Sequence, residues 1–393
     1  MPLGLYISVP FCKTKCTYCN FASDVFSRAV FDRYIARVCG EIEHARQTAG
    51  PVGGQFEAAV DSIYLGGGTP TILEVTQLER VFVTISQNFS VERGAEITME
   101  CAPGTLDPAM VEAFVRCGVN RVSLGVQSFA DKEAASVGRL HKREIVLDDI
   151  ARLRAAGIAN INVDLIAGLP YQTRESWDQS LDELIATGVP HASVYMLEVD
   201  EGSRLGRELI AGGQKYHAHF VPDDDLTAEF YEIACERLNA SRIEQYEISN
   251  FARAGRESRH NLKYWTRQPY LGFGVDAHSM LHSAAGAGAM RFSNSDALEK
   301  YVAGASQDCI DVSSEAALQE AFFLGLRLNR GIDLSEIAKE FGEDAVSGYT
   351  ESVSELTEAG LLERDGEVVR LTPRGRLLSN EAFERFISTH APV

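Results

Sequence analysis

Cys12, Cys16 and Cys19 stand at C-x3-C-x2-C spacing within eight residues, directly after a short apolar segment. An odd number of thiols cannot close into disulfides, so the group reads as a set of metal ligands. A closed zinc site takes four nitrogen or sulfur ligands, usually as two separated pairs, so a partial zinc site or three buried structural cysteines are the plainer alternatives. A cubane iron-sulfur cluster suits the spacing better, because three thiolates hold three irons and leave the fourth open. An open iron can take a small molecule by its amino and carboxylate groups and pass it an electron. The cofactors then do the chemistry and the protein positions them.

The cysteine spacing, with aromatic Tyr18 just before the third thiol, resembles the radical S-adenosylmethionine superfamily. That resemblance implies a 4Fe-4S cluster on Cys12, Cys16 and Cys19 and S-adenosylmethionine at its open iron. Gly66-Gly67-Gly68-Thr69-Pro70 follows an apolar strand. A plain turn seldom needs more than one glycine, whereas three let the backbone approach a ligand and offer N–H donors to a carboxylate or phosphate.

Strands and helices alternate to carry these motifs. Strands are expected over 3–9, 58–65, 96–101, 121–127, 160–167 and 192–197, and helices over 27–47, 108–117, 143–156 and 175–187. In the first helix Phe31, Ile35, Val38 and Ile42 recur at helical spacing. Six strands so interleaved predict an α/β fold with a parallel sheet and right-handed crossovers, either open or curled into a partial barrel. Glu100, Gln127 with Ser128, Asp164 and Glu198 all stand where strands end. Any one of them could cap a helix, but ligands bind at the C-terminal ends of parallel strands.

Further on the pattern weakens. His217 and His219 form an H-x-H pair without a third ligand, which reads as a solvated loop. A helix over 226–239 and a strand over 242–249 follow. His260-Asn261-Leu262-Lys263-Tyr264-Trp265 offers an axial ligand and flat aromatic surface for a haem, or else a surface loop tucked down by Trp265. His278 or His282 could substitute for His260. The alanine-glycine run after 283 reads as a boundary between residues 1–285 and a smaller domain at 286–393. There, helices over 315–328, 334–341 and 345–358 precede a hairpin over 361–371 turning at Asp365-Gly366, an α+β arrangement that looks like a winged helix.

Composition narrows the function. The 393 residues are 45% hydrophobic and carry a formal charge of -19, which disfavours non-specific nucleic-acid or anionic-lipid binding. Beyond 301, acidic residues outnumber basic ones about two to one, so the winged-helix pattern reads as a lid or partner-binding module. No run of about 20 apolar residues and no signal peptide are present, and Cys39, Cys101, Cys117, Cys235 and Cys309 are scattered singly. A cytoplasmic, soluble protein is expected.

Taken whole, the sequence resembles the oxygen-independent coproporphyrinogen III oxidase family, and within it is similar to the HemW-type haem chaperones. The resemblance implies a partial (β/α)6 barrel plus the family's C-terminal domain. It places Tyr6 and Tyr18 beside the cluster, Gly67, Gly68 and Thr69 on the methionine moiety, and Glu100, Gln127, Arg139 and Asp164 at S-adenosylmethionine contact positions. Two departures separate this chain from the oxidases: Phe21 stands where they carry a fourth cysteine, and only eleven residues precede Cys12, where they have an extension. His260 to Trp265 fits the chaperones' H-N-x-x-Y-W signature. A haem chaperone is therefore expected, with haem as cargo, membrane respiratory haem proteins as recipients and a cluster-dependent homodimer. The alternative is coproporphyrinogen III dehydrogenase.

Overall fold

In the computed structural model the described residues are 1–50, 54, 56–283 and 286–387. Six strands lie side by side in chain order and all parallel: β1 (Leu3–Val9), β2 (Ala59–Gly67), β3 (Ser90–Cys101), β4 (Arg121–Gln127), β5 (Asn160–Ala167) and β6 (His191–Met196). Beyond β6, the expected strand over 242–249 is two short ones, β7 (Glu244–Gln245) and β8 (Asn250–Ala252), with β8 pairing antiparallel to β6. On the other flank β9 (Tyr270–Phe273) runs parallel to β1, and β10 (His278–His282), β11 (Ala289–Ser293) and β12 (Asp308–Val312) extend the sheet antiparallel. The expected junction at 285 lies outside the described residues, and β11 and β12 beyond it stay in the same sheet.

The side chains alternate along each parallel strand. One set is apolar and sealed under helices: Leu5 and Ile7, Ile63 and Leu65, Ile97 and Met99, Val122 and Leu124, Ile161 and Val163. The other set is polar: Tyr6 and Ser8, Ser62 and Tyr64, Glu96, Thr98 and Glu100, Arg121 and Ser123, Asn162 and Asp164, His191 and Ser193. A parallel sheet covered by helices on both faces would be apolar on both, so this polar face lines the hollow of a curved sheet, a partial barrel. Hydrogen bonds link neighbouring strands along this face, from His191 to Asn162 at 2.7 Å and from Ser193 to Asn250 at 2.8 Å.

Helices fill the crossovers, including Val75–Asn88, whose capping box pairs Glu74 with Gln77. The first expected helix is broken at His44 into Phe31–Glu43 and Ala45–Ala49. A second apolar cluster, with Leu318, Phe322, Val353, Val369 and Phe386, supports the C-terminal domain. Its sheet runs β13-β15-β14 (Ile332–Asp333, Val368–Leu371, Leu362–Asp365), the wing expected from the hairpin. Arg267, nearly buried, joins this domain to the barrel through Glu320 at 3.4 Å and Glu340 at 3.3 Å. Among the described residues no helix is long and apolar enough to cross a membrane.

Candidate cofactor site at the strand ends

β1 leads straight into the cysteine loop. Buried Phe11 stacks on Phe31 with ring centroids 3.9 Å apart, fixing where the loop starts. The loop is then pinned from three directions. Phe11 O accepts from Thr69 N at 2.8 Å, Thr17 N donates to Val137 O at 3.1 Å, and Thr17 O accepts from Leu205 N at 2.8 Å. Cys12, Cys16 and Cys19 are free, half-buried thiols. Burial pushes the Cys12 and Cys19 thiols up, and the charge of the neighbouring cysteines adds to it. Such thiols become thiolates when a cation takes them, as iron does. The three thiols stand close enough for their charges to act on one another, a donor set of the kind that holds a cluster.

The glycine segment packs directly on that loop. Gly67 has φ of 94°, and a Cβ there would lie 2.9 Å from Ser8 Oγ and 3.2 Å from the Tyr6 hydroxyl. At Gly68 a Cβ would sit 2.7 Å from the carbonyl oxygens of both Val9 and Phe11. Thr69 Oγ1 lies 4.0 Å from Cys12 Sγ. The segment is thus a cradle against β1 and the thiols, more than a turn.

Two carboxylates face the hollow beside it. Tyr64 donates to Glu100 Oε1 at 2.8 Å, while Ser123 at 3.1 Å and Asn162 at 2.6 Å donate to Asp164. Burial raises Glu100 to about 7, with the Asp164 charge adding and the Tyr64 hydrogen bond opposing; burial also raises Asp164. Protonated Glu100 therefore contributes stability that is complete below its ordinary 4.5 and lost as pH rises through about 7. Without ligand, wild type is expected to lose stability between these values more steeply than Glu100→Gln, read as Tm against pH. Parallel curves would contradict the raised carboxyl.

Gln127 and Arg139 complete the face. Gln127 is buried at φ of 70°, next to a register shift between β4 and β5. A left-handed non-glycine residue costs about 1 kcal/mol or more and persists where its surroundings enforce it. Its amide and the Arg139 guanidinium both approach Gly125, where a Cβ would lie 3.2 and 3.1 Å from them. Arg139 donates to the Tyr18 hydroxyl at 3.3 Å and faces the charges of Cys16 and Asp164, yet its buried Nε has no partner among the described residues. An unpaired buried donor between the thiol loop and the carboxylates suits a ligand with an anionic group. Arg139 comes from a loop without periodicity, and only family resemblance flagged it. Ser128, by contrast, donates to Glu133 at 2.7 Å and caps Ala130, so it serves the following helix. Glu198 lies past the end of β6.

The His260 motif is a helix, Arg259–Trp265, rather than a surface loop. Its first N–H groups, from Arg259 and His260, donate to the two oxygens of Glu96 at 3.1 Å each. His260 is 1% exposed, with Nδ1 3.0 Å from Ser62 Oγ and Nε2 2.9 Å from the Tyr264 hydroxyl. Burial lowers its imidazole to about 3, so it stays neutral. Its ring stacks on Tyr64 at 5.3 Å and lies 6.5 Å from Tyr6. The motif thus meets the cofactor face from within the barrel. His278 is exposed on β10, and His282 is half-buried on the same strand. His217 lies in the expected loop, between the helix Arg204–Ala211 and exposed His219, with its half-buried ring hydrogen-bonded to Tyr171.

Curved parallel strands ending in a cysteine loop and a glycine cradle agree with the sequence profiles: residues 6–184 match the Radical SAM superfamily and residues 312–378 the HemN C-terminal domain. The fold is that of a radical SAM protein. The chain is 32% identical over 389 residues to heme chaperone HemW of Bacillus subtilis, covering 97% of this chain and 98% of that protein. Heme chaperone HemW of Lactococcus lactis is 31% identical, with coverage of 98% and 97%. The chain belongs to the HemW family. Coproporphyrinogen III oxidase HemN from Escherichia coli shares the fold, with a TM-score of 0.82 and 24% identity over 98% of this chain and 90% of that one.

Proposed function

We propose that this protein is a cytoplasmic haem chaperone. It would hold a 4Fe-4S cluster on Cys12, Cys16 and Cys19 and S-adenosylmethionine in the Gly67–Thr69 cradle, take up haem as cargo, and pass it to membrane haem proteins, acting as a cluster-dependent dimer. When bound, the cluster supplies an electron to the sulfonium of S-adenosylmethionine. Tyr18, within the thiol loop, and Tyr6, beside Gly67, would flank the cluster, Arg139 would pair with the carboxylate of the ligand, and Glu100, Gln127 and Asp164 would hydrogen-bond its polar groups. The observation that carries the cofactor half is the unpaired Arg139 Nε between Tyr18 and the strand-end carboxylates. The near full-length likeness to proteins named heme chaperones supports the cargo half. His260 reaches haem iron only if its ring leaves Tyr264.

Phe21, 64% exposed, stands at the position of the oxidases' fourth cysteine, which weighs against coproporphyrinogen III decarboxylation. The test is anaerobic: reconstituted protein receives haem in one sample, and coproporphyrinogen III with S-adenosylmethionine and a reductant in another. Stoichiometric haem uptake without protoporphyrinogen IX is the expected result. Steady product formation without haem uptake would make the protein the dehydrogenase.

A further inference from the structure

A second cluster on the rim of the same face joins a histidine with a free nitrogen, flat aromatic surface and a cation. His217 Nδ1 lies 3.0 Å from the Tyr171 hydroxyl. Phe220 packs on Tyr171 at 4.2 Å and on His219 at 4.2 Å, and Lys132 Nζ stands 3.9 Å over the Tyr171 ring. Tyr171 and His217 both have left-handed backbones, at φ of 70° and 63°, a strained conformation for residues other than glycine. The segment is fastened in place. Glu208 accepts from Tyr216 N at 2.7 Å and from Ala218 N at 3.3 Å, and the helix carrying Glu208, Arg204–Ala211, holds Thr17 of the cysteine loop through Leu205.

The chemistry follows from the tautomer. The contact accommodates the tautomer in which Nδ1–H donates to the Tyr171 oxygen and Nε2 presents its lone pair, the arrangement by which proteins orient a metal-binding imidazole. Nε2 makes no hydrogen bond to the described residues, whereas both nitrogens of His260 are engaged. Among the described residues no set of three protein ligands converges here for a bare ion. An iron already held by four porphyrin nitrogens needs only an axial ligand. Phe220, 45% exposed, offers apolar surface to a porphyrin face, and Lys132 and Lys215 offer cations to carboxylates at its edge.

We propose that the His217–Tyr171 pair, with Phe220 and Lys132, is a haem-docking site on the rim of the barrel, with His217 Nε2 as axial ligand to the iron. This rests on the haem-chaperone reading above and adds the place where cargo docks.

The test titrates haem, and separately metal-free protoporphyrin, into the cluster-reconstituted full-length protein and follows the Soret band. Wild type, His217→Ala, Tyr171→Phe and a control at exposed His44→Ala are compared. Haem affinity is expected to fall about tenfold or more in His217→Ala and about tenfold in Tyr171→Phe, which keeps the ring but removes the orienting partner. Added imidazole should restore the His217→Ala spectrum, and metal-free protoporphyrin should bind wild type and Tyr171→Phe alike. If wild type takes up no haem, the chaperone reading fails and the docking site falls with it. If wild type binds haem and both rim variants match it in affinity and spectrum, the docking site is overturned while the chaperone reading stands.

Discussion

Cys16→Ser is expected to abolish the visible absorption of the reconstituted 4Fe-4S cluster, and S-adenosylmethionine binding with it. With one thiolate gone, one iron has lost its protein ligand, and a serine oxygen is a harder and poorer partner for it. The fold itself should survive. Cys16 sits half-buried in a loop whose anchors are backbone hydrogen bonds at Phe11 and Thr17, which the substitution leaves in place. Melting of the cluster-free protein and its far-ultraviolet circular dichroism should therefore match wild type. Cys117→Ser, half-buried but remote in sequence from the motif, serves as the control and should retain its iron. A full complement of iron and sulfide in Cys16→Ser would remove that residue from the ligand set.

Gly68→Ala should be the most damaging single-methyl change at the site. The new carbon would lie 2.7 Å from two backbone oxygens, those of Val9 and Phe11, and neither can rotate away as a flexible side chain could. Relief requires the cysteine loop and the turn after β2 to separate, breaking the Thr69 N to Phe11 O bond that registers them. Overpacking of this kind costs about 1–3 kcal/mol. The functional loss should exceed the stability loss, because the cradle and the thiols are displaced relative to each other. Equilibrium binding of S-adenosylmethionine to the cluster-loaded variant, compared with its denaturation midpoint, separates the two effects. Wild-type affinity in Gly68→Ala would mean that the cradle does not contact the ligand.

Much of this architecture could be read from local signals. The cysteine loop and the glycine segment are contiguous, so spacing alone defined them, and the parallel strands announced themselves as apolar runs between helices. Other parts depend on distant partners. The helix Val75–Asn88 is rich in β-branched residues, among them Val75, Thr76, Val81, Val83 and Ile85, which locally favour a strand. Its capping box and tertiary packing override that preference. β9 to β12 are strands of four or five residues whose pairing with β1 and with one another is set by the fold, not by a strong pattern. The left-handed backbones of Gln127 and Tyr171 follow from what encloses them, and neither is a residue type that advertises positive φ. Arg139 reaches Tyr18 across 121 positions of sequence, a meeting that no window along the chain contains.

The double anchoring of Thr17 also sets an order of events during synthesis. Its N–H waits for Val137 and its carbonyl for Leu205, so the thiol loop near the start of the chain cannot take its final shape until residues far downstream have left the ribosome. Contacts of such long sequence separation form late. Iron and sulfide delivered to the nascent chain would meet three thiols on an untethered strand of polypeptide. A cluster bound through these thiols would therefore find its loop in final shape only once the chain as far as Leu205 has joined the fold.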